Sequence, residues 1–376
     1  MDEMVVKGKE ANAEEFVSGY LPGKRSLILA RIAAAIFGAL WLYDGFFKFW
    51  NNLYLYMPSQ IQAAGAGQPA FLSGWFSFWY HLIASNPMLF TWGTGVLELS
   101  LGFALIAGFL RKIAYFGGIL LALLIWAVPE GFGGPYGTGS LVTGAANIYA
   151  LSFVVLIAMN ATFGPDIWTL DALIEKKHVR WASVAEIRRS RNRAVRFFVR
   201  HQMGISRSAA ILLGIVFAVE TYLAVAFNAP SSLKSTLEGA AAGQPAFLSG
   251  WYSFWISQVS AAPYFYYDLI VAVELLISIS LLFGIARKVA YIGGIVYALL
   301  EWSTLKAFGG PISAGYTDAG QVIMAIIFIL FLALNAVHGT DPYTVDAKIE
   351  KRFPWWSKVA EMSPPLSGKL ATLQRS

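Results

Sequence analysis

Cysteine is absent from this chain of 376 residues, histidine occurs only four times, and charged residues make up 13%. Without cysteine there can be no disulfide, thiolate metal site, iron–sulfur cluster or cysteine nucleophile in the chain. The histidines are His81, His178, His201 and His338, and no two fall on one expected helix at ligand spacing. A bis-histidine haem or metal site is therefore not expected, and no metal site is assigned. Gly-rich segments such as FGGP and GGIL lack the Lys-Ser/Thr of a phosphate loop, and no Ser-His-Asp arrangement can be built. Soluble domains carry about 25% charged residues, so the charge deficit excludes an ordinary soluble globule. What is present is apolar and aromatic: 57% hydrophobic residues, 15% aromatic residues and 13 Trp, with mean hydropathy +0.57. An integral membrane protein is expected, all-α in class.

A helix needs about 20 largely apolar residues to cross the hydrocarbon core. Eight segments qualify as expected spans: roughly 27–49, 87–110, 113–128, 141–163, 208–228, 264–286, 289–305 and 319–337, two of them short. Eight spans put both termini on one side. That side then holds 25 of the 28 Lys and Arg, the exceptions being Lys48, Lys234 and Lys306. The positive-inside rule makes it the cytoplasmic side of the cell (plasma) membrane. The charged first 22 residues do not read as a cleavable signal. The net charge of +6 resolves into a basic inside and an acidic outside, where nine acids face three lysines. The basic run of Arg188, Arg189, Arg191, Arg193, Arg196 and Arg200 is thereby read as a topology anchor against anionic lipid, not as a nucleic-acid site.

The sequence repeats itself. Residues 67–79 read GQPAFLSGWFSFW and 243–255 read GQPAFLSGWYSFW, an offset of 176. The same offset pairs Gly38 with Gly214, Glu98 with Glu274, Arg111-Lys112 with Arg287-Lys288, and FGGP at 132–135 with 308–311. After a one-residue shift, Asn160–Lys176 matches Asn335–Lys351. Each half holds four expected spans, an even number, so the halves run parallel. The expected organisation is a tail over 1–26, a four-helix unit over 27–163, a basic linker over 164–207, a second unit over 208–338 and a tail over 339–376. In each unit the first outer loop (about 51–86 and 229–262) is long and rich in Gly, Pro, Ser and Trp, as a folded-back lid would be.

Ionisable residues inside spans are costly and mark candidate sites. In the first unit these are Asp44, Lys48 and Glu98; Asp44 and Lys48 lie four apart on one helix face, where they can pair. The second unit keeps acids at Glu220 and Glu274, but Ala224 stands in place of Lys48. Lys306 replaces Glu130 at the rim. The catalytic candidates are accordingly Asp44, Lys48, Glu98, Glu220 and Glu274, and a bridging structural role for the two Glu is the alternative. Trp75, Trp79, Trp251 and Trp255 are candidate walls for an aromatic ligand, or else membrane-belt residues. Lys48, Lys306 and the amides of Gly133, Gly134, Gly309 and Gly310 are candidates to hold an anion.

The order Arg31-x6-Gly38, Asp44-Gly45-x2-Lys48, Glu98-x9-Gly108-x2-Arg111, followed by a third apolar helix, resembles the DoxX-like membrane proteins. The Trp-bearing outer loop is more similar to the DoxD branch, the membrane subunit of thiosulfate:quinone oxidoreductase. The likeness spans nearly the whole chain as two copies. The second copy departs from it at Thr221 and Ala224, where Gly and Lys are missing. The resemblance implies oxidation of thiosulfate to tetrathionate on the outer face, with membrane quinone as co-substrate and a second oxidoreductase subunit or respiratory complex as partner. The alternative is a non-catalytic accessory subunit of such a complex. A transporter is disfavoured by the parallel repeats and the crowding of polar groups on one side.

Overall fold

The computed structural model describes residues 24–50, 52–134, 144–163, 168–190, 192–310 and 322–362. The first residues of the expected fourth and eighth spans, Pro135 and Pro311 of the FGGP segments, Arg191 of the basic run and the outer parts of both tails lie outside these. Among the described residues all regular structure is helical. The first half contains α1 (Lys24–Phe47), α2 (Met57–Gly65), α3 (Ser73–Ser85), α4 (Pro87–Ala107), α5 (Arg111–Ala127), α6 (Ala146–Phe163) and α7 (Leu170–Lys177). The second contains α8 (Arg193–Arg200), α9 (Gln202–Phe227), α10 (Ser232–Ala241), α11 (Ser249–Ala261), α12 (Pro263–Phe283), α13 (Arg287–Ser303), α14 (Val322–His338) and α15 (Val345–Arg352). Helices α3, α4 and α5 recur as α11, α12 and α13 at the same offset of 176 at both ends.

Among the described residues four helices, within α1, α4, α9 and α12, are long and apolar enough to cross a membrane. Among the described residues α5, α13 and α14 have 17 residues and α6 has 18, about 26 Å at 1.5 Å per residue. Local signals set the ends: the Asn86 side chain accepts from the Leu89 amide, Pro87 occupies the first turn, and Gly108 closes α4 at φ 62°.

The long outer loops are folded. In the first half α2 and α3 form a hairpin whose Met57, Ile61, Phe76 and Ile83 bury against Val128 at the end of α5. The hairpin is fastened by the repeated sequence itself. Gln68 donates to the Gly131 carbonyl at 2.7 Å and Trp75 to the Ala127 carbonyl at 2.9 Å; Gln244 and Trp251 do the same to Ala307 and Ser303. This is the expected lid.

The core joins the halves. α6 and α14 are buried along their length and pack on each other, α6 also on α9 and α14 also on α1. Each half thus presents its last long helix to the first long helix of the other. The Thr162 hydroxyl lies 3.0 Å from His338 Nε2 across this join. Within a half, α1 and α4 cross at glycines: a Cβ on Gly38 or on Gly102 would stand 2.7 Å from the other's carbonyl oxygen. In the second half Ser278 replaces Gly102 and donates to the Gly214 carbonyl at 2.9 Å.

The end opposite the lids is held by a carboxylate clamp. Asp171 accepts from the amides of Leu110 and Arg111, from Arg111 Nε at 3.1 Å and from the Trp181 indole. Asp346 repeats all four bonds with Ala286, Arg287 and Trp356. Leu110 and Ala286 have φ of 50° and 51°, a strain of about 1–3 kcal/mol each that these bonds sustain. Residues 168–190 and 340–362, expected as linker and tail, are therefore the closing pieces of the units, because each carries the acid that caps the third long helix. The buried Glu186 carboxyl beside Asp171 is pushed up to about 7, chiefly by burial and next by sharing a proton with Glu175; Arg111 and Arg189 oppose this. The folded state then holds a proton that the unfolded state releases above its ordinary value of 4.5. Its contribution is complete below about 4.5 and is lost as pH rises through about 7. The melting temperature in detergent, followed by tryptophan fluorescence, should fall across that window. Glu186→Gln should flatten the fall; an unchanged slope would mean that Glu186 is ionised in the fold.

Candidate functional site

Two cavities lie at equivalent places under the two lids, and they differ in character. The first, of about 490 Å³, is walled by Trp79 and Ile83 of the lid, Leu121 of α5 and Tyr149 of α6. It reaches inward to Asp44, Lys48 and Glu98. The crossing of α1 on α4 brings these together: Lys48 Nζ stands 3.4 Å from Glu98 Oε2, both largely buried. The Tyr149 hydroxyl donates to Asp44 at 3.1 Å. The side chains of Trp41 and Trp79 also line the cavity, with their indole N–H groups buried away from its space and without an acceptor.

The second cavity, of about 500 Å³, has Trp255 and Val259 where the first has Trp79 and Ile83. Its inner end is shut. Tyr297 stands at the position of Leu121, and its hydroxyl donates to Glu274. Thr221, in place of Gly45, donates to the other oxygen of Glu274 at 3.0 Å. With Ala224 in place of Lys48, this carboxyl is held by the hydroxyls of Tyr297 and Thr221. Glu220 is buried. Neither Glu220 nor Glu274 lines the cavity.

The expected site residues thus separate into two groups. Asp44, Lys48, Glu98 and Trp79 meet in the first cavity and Trp255 lines the second. Trp75 and Trp251 do not wall a ligand; their N–H groups are spent in fastening the lids. The glycine amides do not form an anion cradle either. Gly133 and Gly134 donate to the Glu130 and Gly131 carbonyls, and Gly309 and Gly310 to those of Lys306 and Ala307, so tight turns consume them. Lys306 is paired with Glu301 at 3.6 Å. Lys48 meets Glu98 from the neighbouring helix, a partner that spacing along α1 could not indicate. Trp41, Tyr149 and the plug Tyr297 were not expected. The last was accessible in principle, by asking where the two copies differ and not where they agree.

The chain matches no family model, no curated protein and no solved structure. Among the described residues no group of three or more His, Asp or Glu is placed to hold a metal ion.

Lys48→Met leaves Glu98 as a buried charge without its cation and should destabilise the protein by about 3–5 kcal/mol. Adding Glu98→Gln should return most of that loss. Chemical denaturation of the single and double variants measures both, and an additive double variant would show that the two groups do not act as a pair.

Proposed function

We propose that the chain is a membrane subunit that oxidises thiosulfate at the lid face and delivers the electrons to a membrane quinone, with Asp44, Lys48 and Glu98 as the reacting set. The observation that carries this reading is the first cavity. It joins an ammonium and a tyrosine hydroxyl to two carboxylates within a largely apolar wall. The likeness to the DoxX-like proteins and their DoxD branch supplies the substrate class. In the membrane, the reading takes eight spans as two parallel four-helix units, with the short helices completed by their neighbours. The clamp end is cytoplasmic because the Arg-Lys turns and the basic α8 gather there, and the lids face outward.

The chemistry divides among these groups. Two thiosulfate ions lose one electron each and join through a new S–S bond, and the quinone takes two electrons and two protons. Lys48 holds the anion's oxygens. Glu98 and Asp44 sit at the meeting point of anion and ring, where a carboxyl can pass a proton to the quinone oxygen. Lys48 alone does not offset Asp44 and Glu98, so a dianion must bring a proton with it and binds more tightly as pH falls. The apolar part of the cavity takes the ring. Only the first unit carries this set, since Tyr297 and Thr221 occupy its place in the second.

Purified protein in nanodiscs should reduce a short-chain quinone in the presence of thiosulfate. Glu98→Gln should lower the rate by about 10²–10⁴, the range for a lost acid–base group. Leu121→Tyr, which copies the plug of the second unit, should abolish turnover while the protein remains folded. Full activity in Glu98→Gln would remove that residue from the mechanism. An inactive wild-type protein that co-purifies at fixed ratio with respiratory subunits would replace this reading with that of an accessory subunit.

A further inference from the structure

The second cavity is not a spent copy of the first. Closed at its inner end by Tyr297, it opens sideways, between Leu269 of α12 and Gly293, Val296 and Leu300 of α13, all of them exposed on the outer surface of the helices. Leu269 and Val296 are 45% and 54% exposed and lie on apolar helices, so in a bilayer this mouth faces hydrocarbon. Only molecules dissolved in the lipid reach it. Its volume of about 500 Å³ is that of a small-molecule site, and its wall is almost wholly aliphatic and aromatic.

The polar groups it retains are few and clustered. The Trp255 ring lines the cavity with its indole N–H buried behind the wall. Thr304 and Glu301 stand at the end of α13, and Glu301 is paired at 3.6 Å with Lys306, both partly exposed. The first unit has Ile125 and Glu130 at these two positions, so the adjacent opposite charges belong to the second unit alone. An apolar sleeve and a neighbouring cation–anion pair match an acyl chain and a zwitterionic headgroup. A quinone ring carries no formal charges to match that pair.

We propose that the second cavity is a binding site for one zwitterionic phospholipid, whose acyl chain enters between α12 and α13 and whose headgroup rests on Glu301 and Lys306. The lipid is a resident ligand and takes no part in redox chemistry. This inference rests on the second unit alone and stands apart from the reading of the first.

Gly293 supplies the decisive variant, because a Cβ there meets no atom within 4 Å and a leucine can enter the cavity without disturbing the fold. The probe is a phosphatidylethanolamine carrying a diazirine on its acyl chain, in nanodiscs of otherwise unlabelled phosphatidylcholine. Wild-type protein should be labelled in α11 and α13, and Gly293→Leu should lower that labelling at least tenfold against the annular background on α4. Leu121→Tyr, in the other cavity, should leave it unchanged. Native mass spectrometry should find one retained phospholipid per chain, lost in Gly293→Leu and weakened in Lys306→Gln. Equal labelling of wild type and Gly293→Leu would overturn the proposal. So would a photoreactive prenylquinone that labels α13 in competition with the phospholipid and prevails at equal concentration.

Discussion

Helices α1 and α4 lie against each other as closely as they do because neither carries a side chain where their backbones meet. At Gly38 and Gly102 each residue's missing Cβ leaves room for the other's carbonyl oxygen, and at Gly45 and Gly95 the backbone of one helix meets Glu98 and Lys48 of the other. Small residues at such crossings are how helices approach where lipid gives no hydrophobic drive between them. The site follows from this seam. With the helices held apart, Lys48 could not reach Glu98 at 3.4 Å. Asp44, one turn away on the same helix, would no longer share a cavity with them. In the second half the seam keeps Gly214 but loses its other glycines to Thr221, Val271 and Ser278. The Thr221 hydroxyl bonds the Glu274 carboxyl where the first half pairs Glu98 with Lys48, and the Ser278 hydroxyl bonds the Gly214 carbonyl across the seam.

The two ends of the helices do different work. At the clamp end Asp171 and Asp346 are each engaged by two amides, an arginine and an indole. At the lid end of the first unit Asp44, Lys48 and Glu98 gather around a cavity. A rigid frame at the other end serves such a cavity, since its groups are of use only if they are held in place.

The helical class, the repeat and the cluster of Asp44, Lys48 and Glu98 were legible in the sequence because each rests on local or periodic signals: apolar runs, an offset of 176, and charges inside apolar segments. What escaped depends on contacts between distant segments. The identity of GQPAFLSGW in the two copies suggested chemistry in the loops, yet Gln68 and Trp75 act as fasteners to the end of α5. The glycines of FGGP suggested an anion cradle, yet they form a turn whose amides are already used. Asp171 and Asp346 lay in segments that composition assigned to linker and tail, and only their contacts with Arg111 and Arg287 reveal them as part of the units. The repeated residues largely report architecture. The differences, Tyr297 for Leu121 above all, report how the two cavities divide in character.

That division has a precondition in the way α6 packs on α9 and α14 on α1. Two separate copies of a single ancestral half, joined by the same contacts, would form a symmetric pair, and any substitution in one cavity would appear in the other. Joining the halves in one chain breaks this coupling. A tyrosine can then close one pocket while its counterpart stays open, and the shared interface guarantees that the altered half is still retained as a scaffold for the unaltered one. Covalent linkage here confers the freedom to become asymmetric more than it confers stability.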